Sequence, residues 1–229
     1  MEQANRGEKN TVFFALCPNE RCADRLHRIA TRLATQLGGR SMHKETLHLT
    51  LVFIGKVSED SLPDLLAIAD EATGAFRKQD AGRKEGGPPI LLPLDHLGYW
   101  PHNRILWIGS DHCPPWLTEL ADLLAEKLRE RGYPIPLRPF APHVTLVRNV
   151  KPVTEASGFD GLQDALAAGR MPIFRPCHHF FLLRSRHAEA GQVYEKLGYW
   201  TLKKNDQGQK WPIPSHVQAS NLSTAGWHR

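Results

Sequence analysis

Two short segments, His48-Leu49-Thr50-Leu51 and His143-Val144-Thr145-Leu146, place an imidazole two residues ahead of a threonine hydroxyl. In an extended chain, residues two apart project from the same face. Each histidine therefore stands beside its threonine, while Leu49, Leu51, Val144 and Leu146 face the other way. Two imidazoles and two hydroxyls gathered around one point form a site for acid–base chemistry on an anion. Because imidazole titrates near neutral pH, a neutral ring can take a proton from water while a protonated ring delivers one to a leaving oxygen. The threonine hydroxyls donate to the non-bridging oxygens of a phosphodiester as negative charge builds there. Arg148 lies five residues after His143. In a regular strand that odd spacing puts it on the opposite face, whereas a bend at the strand end brings its guanidinium to the phosphate.

The elements that must hold these residues follow from hydrophobic patterning. Residues 12–17 are short, apolar and aromatic and predict a buried strand; residues 47–55 and 143–150 predict the strands that carry the histidines. Leu26, Ile29, Ala30, Leu33 and Leu37 recur on a helical period and stop at Gly38-Gly39. A second helix is expected from Ser58 or Ser61, with Pro63 in its first turn and Leu62, Leu65, Leu66 and Ala69 inward. Residues 77–89, charged and Gly-rich, predict a loop. Strands are expected over 90–97 and 104–109, separated by turn residues 98–103, and Trp116, Leu117, Leu120, Leu123, Leu124 and Leu128 mark a third helix. A weak helical segment over 154–168, a strand over 173–183 and a short one over 198–202 complete the chain. Each half thus reads strand, helix, strand, helix, strand, with a His-x-Thr in its middle strand, an internal repeat of structure. If a pseudo-twofold relates the halves, the two motifs face one another across a cleft.

Composition limits the class of protein. With 229 residues, 41% hydrophobic and 23% charged, the chain has the make-up of an ordinary globular protein of one large or two joined lobes. Its apolar runs stop far short of the roughly 20 residues a membrane span needs, and residues 1–10 lack the apolar core of a secretory signal, so a cytoplasmic protein with no membrane partner is expected. A net charge of +5 and a pI near 9.1 favour anionic partners. Four thinly spread cysteines, Cys17, Cys22, Cys113 and Cys177, argue against a disulfide framework. Cys113 beside His112, and Cys177 before His178 and His179, match no standard zinc spacing, so neither metal nor cofactor is expected at the site. The tail, basic and with Trp211 and Trp227, could stack on single-stranded nucleic acid, but a flexible terminus is the simpler expectation.

The two motifs and their flanks carry a family resemblance. Phe13-Phe14-Ala15-Leu16, Leu47-His48-Leu49-Thr50-Leu51 with Gly55, Leu106-Trp107-Ile108, Pro142-His143-Val144-Thr145-Leu146-Val147-Arg148, Leu183-Arg184-Ser185 and Tyr194 resemble the two-histidine (2H) phosphoesterases. Within them, the chain is similar to the bacterial and archaeal RNA 2',3'-cyclic phosphodiesterases, also called 2'-5' RNA ligases, over about residues 12–202. The resemblance implies an α+β bilobal fold, two pseudo-symmetric lobes of antiparallel sheet with outer helices around a central cleft. It further implies metal-independent hydrolysis of a terminal 2',3'-cyclic phosphate to a 2'-phosphomonoester. His48 would be the proton donor and His143 the proton acceptor, with Thr50, Thr145 and Arg148 binding the phosphate. The partner would be RNA or a nucleotide with a 2',3'-cyclic phosphate end, and the protein a monomer. Residues 11–203 would form the bilobal domain, flanked by a flexible 1–10 segment and a flexible 204–229 tail. Two alternatives stay open: a non-catalytic RNA- or nucleotide-binding module, and reversible 2'-5' ligation of tRNA halves.

Overall fold

A computed structural model describes residues 10–79, 92–152, 173–174, 176–188 and 191–202. The expected helix at 154–168, the tail from 204 and most of the 77–89 loop lie outside the described residues. The elements run β1 (Asn10–Pro18), α1 (Glu20–Leu37), β2 (Arg40–Ser41), β3 (Leu49–Val57), α2 (Leu62–Gln79), β4 (Leu92–Pro93), β5 (His96–Trp100), β6 (Ile105–Gly109), α3 (Pro115–Glu130), β7 (His143–Arg148), β8 (Ile173–Phe174), β9 (Pro176–Ala188) and β10 (Gly191–Thr201).

One antiparallel sheet of order β10-β9-β1-β3-β7-β6-β5 carries the molecule, with β2 also on β7. The last strands of the two halves exchange: β5 closes against β6 of the second half, and β9 with β10 closes against β1 of the first. The lobes are therefore not the two halves of the chain, although first and middle strands correspond as the repeat predicts. Joining the lobes is the Leu49–Val144 pair of β3 and β7. Both side chains are fully buried, in a core that also takes the inward stripes of α1, α2 and α3. Burying a side chain of this size contributes about 1.5–3 kcal/mol, so the hinge between the lobes is anchored on its helix side. The opposite face carries a smaller cluster of Phe13, Ala15, Phe181 and Leu183, flanked by Cys17, Tyr194 and Tyr199.

Local chemistry sets the boundaries. Asn19 caps α1, its Oδ1 accepting from the Cys22 N–H at 3.0 Å, and Gly38, at φ 74°, ends it. The second helix overruns the expected loop and reaches Gln79, with Arg77 donating to the Thr201 carbonyl at 2.8 Å. Gly98 is a strand residue, not part of a turn: β5 runs to Trp100 and the turn falls on residues 101–104, with Arg104 at φ 53°. The C-terminal strands are longer than expected, at 13 and 11 residues, because pairing with each other and with β1 extends them beyond their apolar stretches.

Candidate active site

The Leu49–Val144 pair fixes the geometry of the motifs. In an antiparallel register the flanking positions meet on the other face, so His48 stands across from Thr145 and Thr50 across from His143. The two motifs that the sequence places 95 positions apart share one face of one sheet. The structure thus brings His48, Thr50, His143 and Thr145 together as the repeat predicts.

Each imidazole is oriented by the same device. His48 Nδ1 lies 2.8 Å from the Thr46 carbonyl oxygen, and His143 Nδ1 lies 2.8 Å from that of Ala141. A carbonyl only accepts, so both Nδ1 atoms carry hydrogen, and in the neutral rings both Nε2 atoms are acceptors. A 3-10 turn over Lys44–Thr46 aims the first carbonyl. Aromatic rings hold the imidazoles from the sides. Phe13 lies 4.9 Å and Tyr194 5.0 Å from His48, centroid to centroid; Trp100 lies 4.7 Å and Trp107 5.9 Å from His143. Phe13 on β1 and Trp107 on β6 occupy corresponding strands of the repeat.

Arg148 reaches the site by the bend that its spacing requires. Trp107 pairs with Thr145 but Leu106 pairs with Val147, so Leu146 is a bulge residue and the alternation of faces shifts by one. Arg148 consequently shares the face of His143. Its charge acts on the Tyr194 phenol, and its buried Nε has no partner among the described residues. A buried N–H left in this state is costly, and an anion's oxygen would satisfy it.

Burial pushes His48 down from 6.5 to about 4; the Thr46 carbonyl works against this, and the charges of Arg148 and His143 add to it. Burial also lowers His143, opposed by the Ala141 carbonyl and assisted by Arg138. Burial raises the Tyr194 phenol, with Arg148 and Arg40 pulling the other way. Without ligand the pair is thus neutral near pH 7, with the guanidinium charges of Arg148 and Arg138 acting on the rings. Beside Thr50 and His143 opens a pocket of about 200 Å³, flanked by Phe53, Trp100, Arg138 and Phe140. Phe53 is 53% exposed there.

Among the described residues no cysteine joins a group of side chains that could hold a metal. Cys113 Sγ sits 3.2 Å from Thr118 Oγ1, and no disulfide links Cys17, Cys22 and Cys113 to one another. Sequence reasoning gave Tyr194, Phe13 and Trp107 no role in the site, and missed Trp100, Arg40 and Arg138. An aromatic in the first strand of each half was the available signal.

Comparison with known proteins assigns the family. Residues 16–107 match the model of the LigT-like phosphoesterases. An Escherichia coli K12 protein named RNA 2',3'-cyclic phosphodiesterase is 33% identical over 143 residues, spanning 62% of this chain and 73% of the relative. The chain belongs to the LigT-like phosphoesterase family. A Thermus thermophilus member of the same name is 28% identical over 204 residues, covering 84% of this chain and 90% of its own. The crystal structure of E. coli LigT with 3'-AMP superposes with a TM-score of 0.61 at 26% identity, over 86% of this chain and all of that one. The LigT-like fold is thus present with its α+β architecture and open antiparallel sheet.

Proposed function

We propose that this LigT-like phosphoesterase hydrolyses the 2',3'-cyclic phosphodiester at an RNA or nucleotide end to a 2'-phosphomonoester, using His48 and His143 without a metal. The observation that carries the reading is the single register pair that sets two identically oriented imidazoles beside two threonine hydroxyls on one face. Water attacks phosphorus as His143 Nε2 takes its proton; the P–O3' bond breaks as His48, protonated in the complex, gives its Nε2 proton to O3'. Thr50, Thr145 and Arg148 hold the non-bridging oxygens, whose charge grows in the transition state. Because both rings are buried and lowered, the anion itself supplies the field that protonates His48, so the acid is armed when substrate is present. The pocket beside Phe53 and Trp100 gives room for the nucleoside, and stacking on those rings would hold a base.

The relatives' names support this substrate class, and the 3'-AMP complex of E. coli LigT shows that a neighbour of the same fold takes a nucleotide. No helix among the described residues is long and apolar enough to cross a membrane. The test is direct. An oligonucleotide ending in a 2',3'-cyclic phosphate is incubated with the protein and the product identified by phosphorus NMR. A 2'-phosphomonoester is expected. Binding without turnover would establish the recognition module instead, and joined 2'-5' products would establish the reverse reaction.

A further inference from the structure

On the outer lobe edge, Asp95 and His96 lie at the start of β5, and β6 is followed by Asp111 and His112. We propose that Asp95, His96 and Asp111 form a binding site for a first-row divalent cation such as zinc, separate from the paired histidines and independent of their proposed chemistry.

Three donor atoms converge there. Asp95 Oδ1 lies 3.2 Å and Asp111 Oδ1 3.4 Å from His96 Nδ1, and the ligand atoms of the three residues all fall within 4.8 Å of one another. A zinc ion with bonds of about 2.0–2.2 Å sets neighbouring donors about 3.0–3.5 Å apart, so the trio needs little rearrangement to coordinate one. A proton serves these atoms less well. One Nδ1–H cannot bond strongly to two carboxylates at once, and both distances are long for such a bond. A cation meets all three donors together and neutralises two carboxylates held side by side.

The surroundings orient the donors. Asp95 is fixed through both oxygens, Oδ1 accepting from the Asp111 N–H at 3.0 Å and Oδ2 lying 3.1 Å from His112 Nδ1, a partner of the kind that supports metal-binding carboxylates. The Asp95 N–H donates to the Gly109 carbonyl at 2.9 Å, so the two chain segments are tied before any ion arrives. The His96 ring stands edge-on to Trp107 at 5.1 Å. Asp111, its side chain 76% exposed, leaves an entry path. One imidazole with two carboxylates suits zinc or manganese rather than the softer ions that thiolates select.

The location gives the site its interest. His96 pairs with Gly109, and Gly109 with His143, so the three lie in one row across neighbouring strands. At about 4.8 Å per strand, the His96 backbone stands roughly 10 Å from that of His143. Trp107 touches both rings. A bound ion would fasten β5 to the segment after β6 at the rim of the cleft without entering it.

Calorimetric titration of the metal-stripped full chain with zinc tests this. One-to-one binding with a dissociation constant of roughly 10 µM or tighter is expected, with Asp111→Asn and His96→Gln each weakening it tenfold or more. Asp111 is exposed and its replacement isosteric, so that variant should keep the wild-type circular dichroism. X-ray absorption at the zinc edge should show nitrogen and oxygen donors and no sulfur. Unchanged affinity in both variants, a sulfur donor, or no saturable binding by the wild-type chain would each overturn the proposal.

Discussion

Trp107 occupies the space in front of Gly98, so that a Cβ placed on Gly98 would come within 1.9 Å of indole Cζ2 and 2.2 Å of Cε2. The glycine is thus what lets a tryptophan lie across β5 and brace His143. Gly98→Ala must move the indole, and over-packing of this kind costs about 1–3 kcal/mol. We expect a lower midpoint in urea together with reduced turnover. Turnover equal to wild type in a destabilised variant would show that the brace does not position the imidazole.

His48→Ala and His143→Ala should each lower turnover of a nucleoside 2',3'-cyclic phosphate by about 10²–10⁴-fold, the usual worth of a positioned acid or base. Circular dichroism should remain that of the parent. Both variants retaining activity would remove the pair from the mechanism. Wild-type turnover should persist in a chelator, and a loss that zinc restores in the wild type and in Asp111→Asn alike would place a metal in the reaction.

The pH dependence has a definite sign. Without substrate both imidazoles are held below the ordinary 6.5, His48 at about 4, so the acid loses its proton across a window below the usual histidine range. The ratio kcat/KM reports the free protein, so it should fall as pH rises above that window. Bound phosphate raises both imidazoles, and the optimum of kcat should therefore lie at higher pH. Coincident optima would contradict arming by the substrate.

Folding stability carries the same signature. With His48 at about 4 when folded and 6.5 when unfolded, the unfolded chain binds more protons across that interval. This contribution is complete above pH 6.5 and lost as pH falls toward 4, amounting to roughly 3 kcal/mol. Urea unfolding at several pH values, with His48→Gln as the comparison, measures it; equal acid sensitivity in the two proteins would rule it out.

Arg148→Gln should do two things at once. Loss of charged hydrogen bonds to phosphate should raise KM about tenfold or more. The His48 imidazole, relieved of a neighbouring positive charge, should titrate at higher pH by NMR. An unmoved His48 would mean that the guanidinium does not face it.

Much of the site was legible because a period of two is a local property. His48 with Thr50, and His143 with Thr145, needed only strand alternation and the repeat to be placed on one face. Arg148 was half legible: its odd spacing called for a bend, but nothing local located the bulge at Leu146. The braces around the rings were not legible, since Tyr194 reaches His48 from β10 and Trp100 reaches His143 from β5, contacts set by which strands neighbour which. Gly98 reads as a turn residue until the indole beside it is known. The exchange of closing strands is likewise a long-range decision that helical and strand periods do not encode.

That exchange has a consequence for how the molecule comes apart. Since β9 and β10 seal the lobe begun by β1, while β5 seals the lobe begun by β6, cutting the chain at its midpoint would leave two fragments, each with an open sheet edge. Such half-length polypeptides could complete their sheets by pairing with one another, each supplying the strand the other lacks. In the intact chain the lobes should melt in concert, with amide protons of β1 and β6 exchanging with solvent at matched rates.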